Sequence, residues 1–269
     1  MFRVLEDSAS AGSPRGDRLP RRPLHRARLG ARRVGVVLVG CAALAGLYGG
    51  ALLYAGRTDR QLFGAVFNRA HTQERVLALT FDDGPREPDT RLLLDALDRA
   101  HVRATFFMIG GAIERNPELA REVVRRGHQV GNHSYSHARM LFVSTAFCRD
   151  EIARTDALLR TAGAMGPIHF RAPYGQKLWS LPWVLAEMDR LDVLSSIAIR
   201  DYDRPGTDRI VSEVLRQMHP GAVVALHDGG GERDQTVAAV EQLIPALRAQ
   251  GYRFLTIDEL RALDRRGQP

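Results

Sequence analysis

Two adjacent carboxylates, Asp82 and Asp83, stand between the apolar run Val76 to Leu79 and the turn pair Gly84-Pro85. That placement reads as the end of a buried strand running into a loop. Successive residues of extended backbone face opposite sides, so one carboxylate can ligate a metal ion while the other faces a reacting water. Asp-Asp-Gly-Pro is also ordinary turn chemistry, so the pair gains meaning only from partners elsewhere in the chain. His133 and His137 are such partners. Four residues apart, they share one face in a helical turn, as a divalent metal needs. Two histidines and one aspartate leave coordination positions open for water, which marks a catalytic rather than a structural site. The bland alternative is a set of incidental surface histidines. It is adopted for His25, His71, His101, His128, His169 and His219, but not for the spaced pair at a strand end.

Three further residues follow candidate strands. Arg171, in Arg171-Ala172-Pro173-Tyr174-Gly175, is a fixed cation that could orient a neighbouring carboxylate and keep it ionised; alone it is equally an arginine in a surface turn. His227, in Leu226-His227-Asp228-Gly229-Gly230, suits proton donation to a leaving group near neutral pH. Asp201 is a candidate to hold that histidine protonated, against a solvated loop acid beside Asp203. The glycines of 229–234 read as a mobile lip.

Strands are expected at Val76–Phe81, Ala104–Met108, Gln129–Gly131, His169–Arg171, Val193–Ile197, Ala222–His227 and Arg253–Thr256. Helices are expected between them, at Pro88–Arg99, Pro117–Arg126, Arg149–Thr161, Pro182–Leu191, Asp208–Met218 and Thr236–Gln250. Such alternation predicts a parallel α/β sheet, and about seven units suggest a barrel with its chemistry at the carboxyl ends of the strands.

The net charge of +7 is unevenly spread: residues 1–33 carry nine Arg against Glu6, Asp7 and Asp17, while residues 76–269 sum to −1. A basic tail on a near-neutral folded part argues against nucleic acid as a partner. The Arg-, Pro- and Gly-rich tail, 1–33, reads as disordered. Residues 34–55 hold no charged side chain, a length that matches the roughly 20 residues needed to span a bilayer. Arg32 and Arg33 before it predict a cytoplasmic N-terminus and an extracytoplasmic remainder. A cleaved signal peptide fits less well, because the run is long and ends without a small-x-small site. Leu38-Val39-Gly40-Cys41 resembles a lipobox, but the chain after Cys41 stays apolar, so an uncleaved inner-membrane anchor is the preferred reading. The domain plan is then a cytoplasmic tail (1–33), an anchor (34–55), a juxtamembrane linker with some helical character (56–73), one folded domain (74–263) and a short C-terminal tail (264–269).

Thr80–Gly84, His133–His137, Arg171–Tyr174, Asp201-Tyr202 and Leu226–Asp228 occur in the order seen in polysaccharide deacetylases, the NodB-homology domain of carbohydrate esterase family 4. The resemblance covers about residues 74–263 and implies a distorted (β/α) barrel that removes acetyl groups from N-acetylated sugars with a metal ion. By position it makes Asp82 the general base, and Asp83, His133 and His137 the metal ligands. It makes Arg171 the brace of the base, the Tyr174 backbone N–H an oxyanion donor, His227 the general acid and Asp201 its partner. Tyr202 stands where the family usually has Trp, and Ala225 where it often has a Leu that lines the acetyl pocket; Leu226 would partly fill the space. Zinc is the default ion for two His and one Asp, with cobalt or nickel able to serve.

The expected function is a membrane-anchored deacetylase of an extracytoplasmic glycan, peptidoglycan or another N-acetylglucosamine polymer. In it a metal-activated water attacks while Asp82 accepts its proton and His227 protonates the departing amine. One alternative is a related amidase acting on a lipid-linked sugar or another amide, which the anchor and Ala225 motivate. Another is a non-catalytic wall-binding protein, against which stands a competent residue at every chemical position. The sequence leaves the oligomeric state open.

Overall fold

The structure, a computed structural model, describes residues 24–57 and 59–264. Two compact units divide the chain, residues 1–48 and 49–269. Helix α1 (Leu24–Ala55) crosses that division, and its window Leu38–Ala55 has a mean hydropathy of 1.7, long and apolar enough to cross a membrane by length and composition. The disorder expected over 1–33 lies outside the described residues up to residue 23, and 24–33 are helical instead.

The second unit alternates strands and helices. After β1 (Val66–Phe67) come β2 (Val76–Asp82), α2 (Asp89–Arg99), β3 (Thr105–Met108), α3 (Gly110–Arg115), α4 (Pro117–Arg125) and β4 (Gln129–Asn132). Then follow α5 (Thr145–Thr161), α6 (Ser180–Glu187), β5 (Asp192–Val193), β6 (Ile197–Ala198) and α7 (Thr207–Gln217). The order ends with β7 (Ala222–His227), α8 (Asp234–Ala249), β8 (Arg253–Phe254) and α9 (Ile257–Arg261). Every named strand pair is parallel, in the order β4-β3-β2-β7-β6, with β8 on the start of β2 and β1 paired to β5.

Strand β2 is the centre, and all seven of its residues are buried. Leu77, Leu79 and Phe81 pack outward against the apolar faces of α2 and α8, among them Leu93, Leu97, Val240 and Leu243. Val76 and Ala78 pack on the other side with Phe67, Phe107 and Val193. The period-2 alternation therefore commits Thr80 and Asp82 to the inner side before any functional requirement is considered.

Several expected elements differ, each for a local reason. The stretch 56–73, expected to have helical character, instead carries β1 and buries Phe67 and Ala70. The expected strand His169–Arg171 contracts to Phe170, which bridges Asn132 and Asp192. Pro173 soon follows, and a proline cannot extend a hydrogen-bonded ladder. The expected strand Val193–Ile197 divides because its ends have different partners, β5 pairing with β1 and β6 with β7. Helix α5 begins early, where the Ser144 side chain caps the Phe147 N–H. Strand β1 and helices α3 and α9 are too short for a periodic signal.

Candidate active site and metal centre

The inner side of the sheet delivers Asp82 to the carboxyl end of β2, in register with His227 at the end of β7. Arg171, 3% exposed, donates from Nη1 to both Asp82 Oδ1 and Thr80 Oγ1 at 2.7 Å, and from Nε to the Val193 carbonyl at 2.8 Å. Those acceptors on separate strands hold the guanidinium in one orientation, so Asp82 is oriented by a buried charge that cannot swing away.

Asp83 leaves the strand with φ +75, which turns its side chain away from the direction of Asp82. Its Oδ1 lies 3.4 Å from His133 Nε2 and 3.2 Å from His137 Nε2, and one ligand atom from each of the three residues lies within 4.8 Å of the others. The two histidines do not sit in a helical turn. Ser134 and His137 take left-handed backbone, φ +62 and +57, and the loop is shaped by its neighbours. Asn132 Oδ1 accepts from the Ser134 N–H at 2.8 Å, and the buried Glu151 of α5 accepts from the Tyr135 and Ser136 N–H groups at 3.0 and 2.8 Å. Spacing of four was a sound cue to convergence; the backbone that produces it is an irregular loop pinned by Glu151.

The donor set fits a divalent cation on three counts. Asp83 Oδ1 is a buried oxygen with no hydrogen-bond partner among the described residues, a costly state that a cation would relieve. His133 Nδ1 lies 2.9 Å from the Arg171 carbonyl, so a proton on Nδ1 donates there and the Nε2 lone pair faces Asp83. Tetrahedral bonds of roughly 2.0–2.1 Å place ligand atoms roughly 3.3 Å apart, close to the two Asp83–His separations. Burial alone would raise the Asp83 carboxyl, yet the adjacent His133 imidazole, with smaller contributions from His137 and His227, holds it well below the usual range. Burial, together with the neighbouring His133, brings His137 down to about 4, so at neutral pH its ring is uncharged and its lone pair free to ligate.

On the other flank, His227 Nδ1 meets Asp201 Oδ1 at 2.7 Å. Asp201 is itself locked, its Oδ2 accepting from the His227 backbone N–H at 3.0 Å and from Thr236 Oγ1 at 2.8 Å. Burial of the imidazole lowers its pKa, but the Asp201 hydrogen bond and charge outweigh that, helped by Asp82 and Asp83, and the ring is raised to about 9. Tyr202 stands edge-on to the His227 ring at 5.0 Å, and half-exposed Tyr174, with backbone φ +57, packs against His137 at 4.6 Å with the two rings tilted by 48°. Ala225 shares the His227 side of β7. Leu226 does not: it is fully buried among the outward core residues opposite the site, because one step along a strand reverses the face.

Sequence reasoning passed over Asp228, although it directly follows His227. Buried at 2% exposure, it accepts from the Gly84 N–H at 3.2 Å and from Thr90 Oγ1 at 2.6 Å, clamping the loop that carries Asp83. Burial, reinforced by Asp83 and Asp82, pushes its carboxyl up to about 7. The glycines of 229–231 serve close approach. A side chain at Gly229 would overlap the Asp83 backbone, and the buried Arg233 ties the segment by donating to the Gly229 carbonyl at 2.8 Å. A side chain at Gly84 would overlap the Asp228 carboxylate. Gly84→Ala is therefore expected to lower stability by about 1–3 kcal/mol, as overpacking does, and to weaken metal binding; a thermal melt and a zinc titration check both.

Fold and site together define a parallel α/β protein with an Asp-His-His cluster at its strand ends, flanked by an Asp–Arg pair and a His–Asp pair. A family model described as polysaccharide deacetylase matches residues 69–190. A peptidoglycan-N-acetylglucosamine deacetylase of Bacillus cereus is 37% identical over 210 residues, covering 76% of this chain and 96% of the relative. A chitooligosaccharide deacetylase of Bradyrhizobium sp. is 41% identical over 201 residues, covering 69% and 90%. The crystal structure of the Bc1960 peptidoglycan N-acetylglucosamine deacetylase superposes with a TM-score of 0.70 at 32% identity, covering 73% of this chain and 92% of that one. The chain belongs to the polysaccharide deacetylase family.

Proposed function

We propose that this chain is a membrane-anchored, metal-dependent deacetylase that removes N-acetyl groups from an extracytoplasmic glycan, peptidoglycan or another N-acetylglucosamine polymer. The observation that carries the reading is the meeting of Asp83, His133 and His137, from the ends of β2 and β4, between the Asp82–Arg171 and His227–Asp201 pairs. Relatives named for peptidoglycan and chitooligosaccharide deacetylation support the substrate class.

Asp83, His133 and His137 would hold the cation, with zinc the first choice and cobalt or nickel able to substitute. When bound, such an ion polarises the amide carbonyl and lowers the pKa of a coordinated water. Asp82, oriented by Arg171, accepts the proton of the attacking water. The Tyr174 backbone N–H donates to the oxyanion that forms on the substrate carbon. His227, with Asp201 stabilising its imidazolium, gives a proton to the departing amine, which is otherwise a poor leaving group. Tyr202 and Ala225 border the sugar and acyl group.

In this reading residues 34–55 anchor the chain, with 1–33 cytoplasmic and the catalytic domain, 74–263, outside. The segment 56–73 joins the two while packing Phe67 and Ala70 against the domain, and 264–269 form a tail. The bridges from Asn132 through Phe170 to Asp192 support closing the sheet toward a distorted barrel of about seven strands.

Full-length protein in detergent is expected to release acetate from N-acetylglucosamine oligosaccharides. Chelation should bring release to background and added zinc should restore it. Release that chelation does not touch would overturn the metal role. Formate as the released acid would point to a different amide, the reading that the small Ala225 motivates.

A further inference from the structure

Beside the metal-ligand cluster an open cavity of about 310 Å³ borders Asp83, lined by Arg86, Arg115, Asn116, Gly230 and Gly231. That volume is at the lower end of the roughly 300–1,000 Å³ of ligand pockets, enough for one sugar with its substituent. The two arginines differ in what they face. Arg86 Nη1 donates to the Asp89 carboxylate at 2.5 Å and to the Gly231 carbonyl at 2.6 Å, so its charge is matched and it serves as wall. Arg115, exposed in the last turn of α3, has no ion pair or hydrogen bond among the described residues.

Arg125, Arg209 and Arg261 likewise hold no carboxylate among the described residues, but none of them borders this cavity; elsewhere on the surface Arg91, Arg99, Arg126, Arg149 and Arg253 each hold one. The acids nearest Arg115 in sequence are also engaged. Glu114 accepts from the Tyr135 hydroxyl at 2.6 Å, and Glu118 pairs with Arg121. An unmatched guanidinium therefore stands on the wall of a cavity that opens next to the metal ligand. A single free guanidinium matches the one charge of a carboxylate, whereas a phosphoryl group near −2 would leave charge unmatched.

We propose that this cavity is a subsite for a carboxylate carried by the glycan next to the sugar being deacetylated, with Arg115 as the specificity-determining residue. The inference rests on the deacetylase reading and narrows its substrate: a strand in which N-acetylglucosamine alternates with an acid-bearing sugar is preferred to a neutral N-acetylglucosamine homopolymer. The same charge could come from the sugar's own acid or from a peptide attached to it.

The test is kcat/KM for acetate release by the full-length protein on strands of matched length: neutral, acid-bearing without peptide, and peptide-bearing. Wild type should favour the charged strands. Arg115→Gln should cut that preference about tenfold, mainly through KM, which corresponds to about 1.4 kcal/mol. Arg115→Glu should cut it further, Arg115→Lys should restore part, and rising salt should erode the wild-type preference. A preference for acid-bearing strands without peptide assigns the charge to the sugar; a preference confined to peptide-bearing strands assigns it to the peptide. Acetate release from all strands with no wild-type preference, or with a preference that Arg115→Gln leaves intact, overturns the subsite and leaves the deacetylase reading standing. No acetate from any strand overturns that reading and the subsite with it.

Discussion

Asp82→Asn is expected to lower turnover by about 10²–10⁴, the range of a lost general base, while bound metal stays near stoichiometric. The second half of the result matters as much as the first, because Asp82 and Asp83 are neighbours with different jobs. Asparagine retains an oxygen for Arg171 Nη1 but removes the charge opposite a guanidinium that is 3% exposed. Breaking a buried pair by removing one partner costs about 3–5 kcal/mol. Here the cost should lie lower, because Thr80 Oγ1 and the Val193 carbonyl remain as acceptors. The melting temperature of Asp82→Asn will therefore fall somewhat, and that fall must be separated from the loss of chemistry. Asp82→Asn with Arg171→Met does so: it removes the orphaned charge and should recover part of the melting temperature with no recovery of turnover. Wild-type turnover in Asp82→Asn would remove this residue from the base role.

Asp201→Asn should move the alkaline limb of the kcat/KM profile, since that limb reports the group that must carry a proton. His227 is raised to about 9 chiefly because Asp201 outweighs the burial of the ring. A cation at Asp83 offsets that residue's share, so the wild-type limb in the loaded protein falls somewhat below 9. Without the Asp201 charge, burial is opposed mainly by Asp82, and the limb should drop toward the unperturbed histidine value of about 6.5. At pH 8.5 the protonated fraction would fall on the order of thirtyfold or more. Stability follows with the same sign. A folded pKa above the unfolded value of about 6.5 adds stability that is present in full below that pH and lost as pH rises through the folded pKa. Asp201→Asn should therefore destabilise the protein more at pH 6 than at pH 10. An alkaline limb that stays in place would show that another group supplies the proton.

The chemistry-bearing residues were legible because each follows an apolar run that reads as a strand, and a parallel sheet gathers strand ends on one side. Asp82, Asp83, His133, His137, Arg171 and His227 all stand where that logic puts them, and the longer elements β2, β7, α2, α7 and α8 lie within a few residues of their expected bounds. Short pieces were not legible. Two-residue strands and one-turn helices carry too little periodicity, and Phe170 is held in the sheet by partners at Asn132 and Asp192 that are distant in sequence.

By itself, then, the sequence determined which residue types follow which strands, because local hydrophobic periodicity sets element type and the face each residue takes. Tertiary structure alone decided how those side chains are held. Glu151 bends the histidine loop from another helix, Asp228 grips Gly84 across the sheet, and Thr236 locks Asp201 from α8. Burial decided the rest. The raised His227, the lowered His137 and the unpartnered Asp83 oxygen arise from desolvation and from charges that meet only when the strands do. Such terms depend on distance in space, which no spacing along the chain encodes.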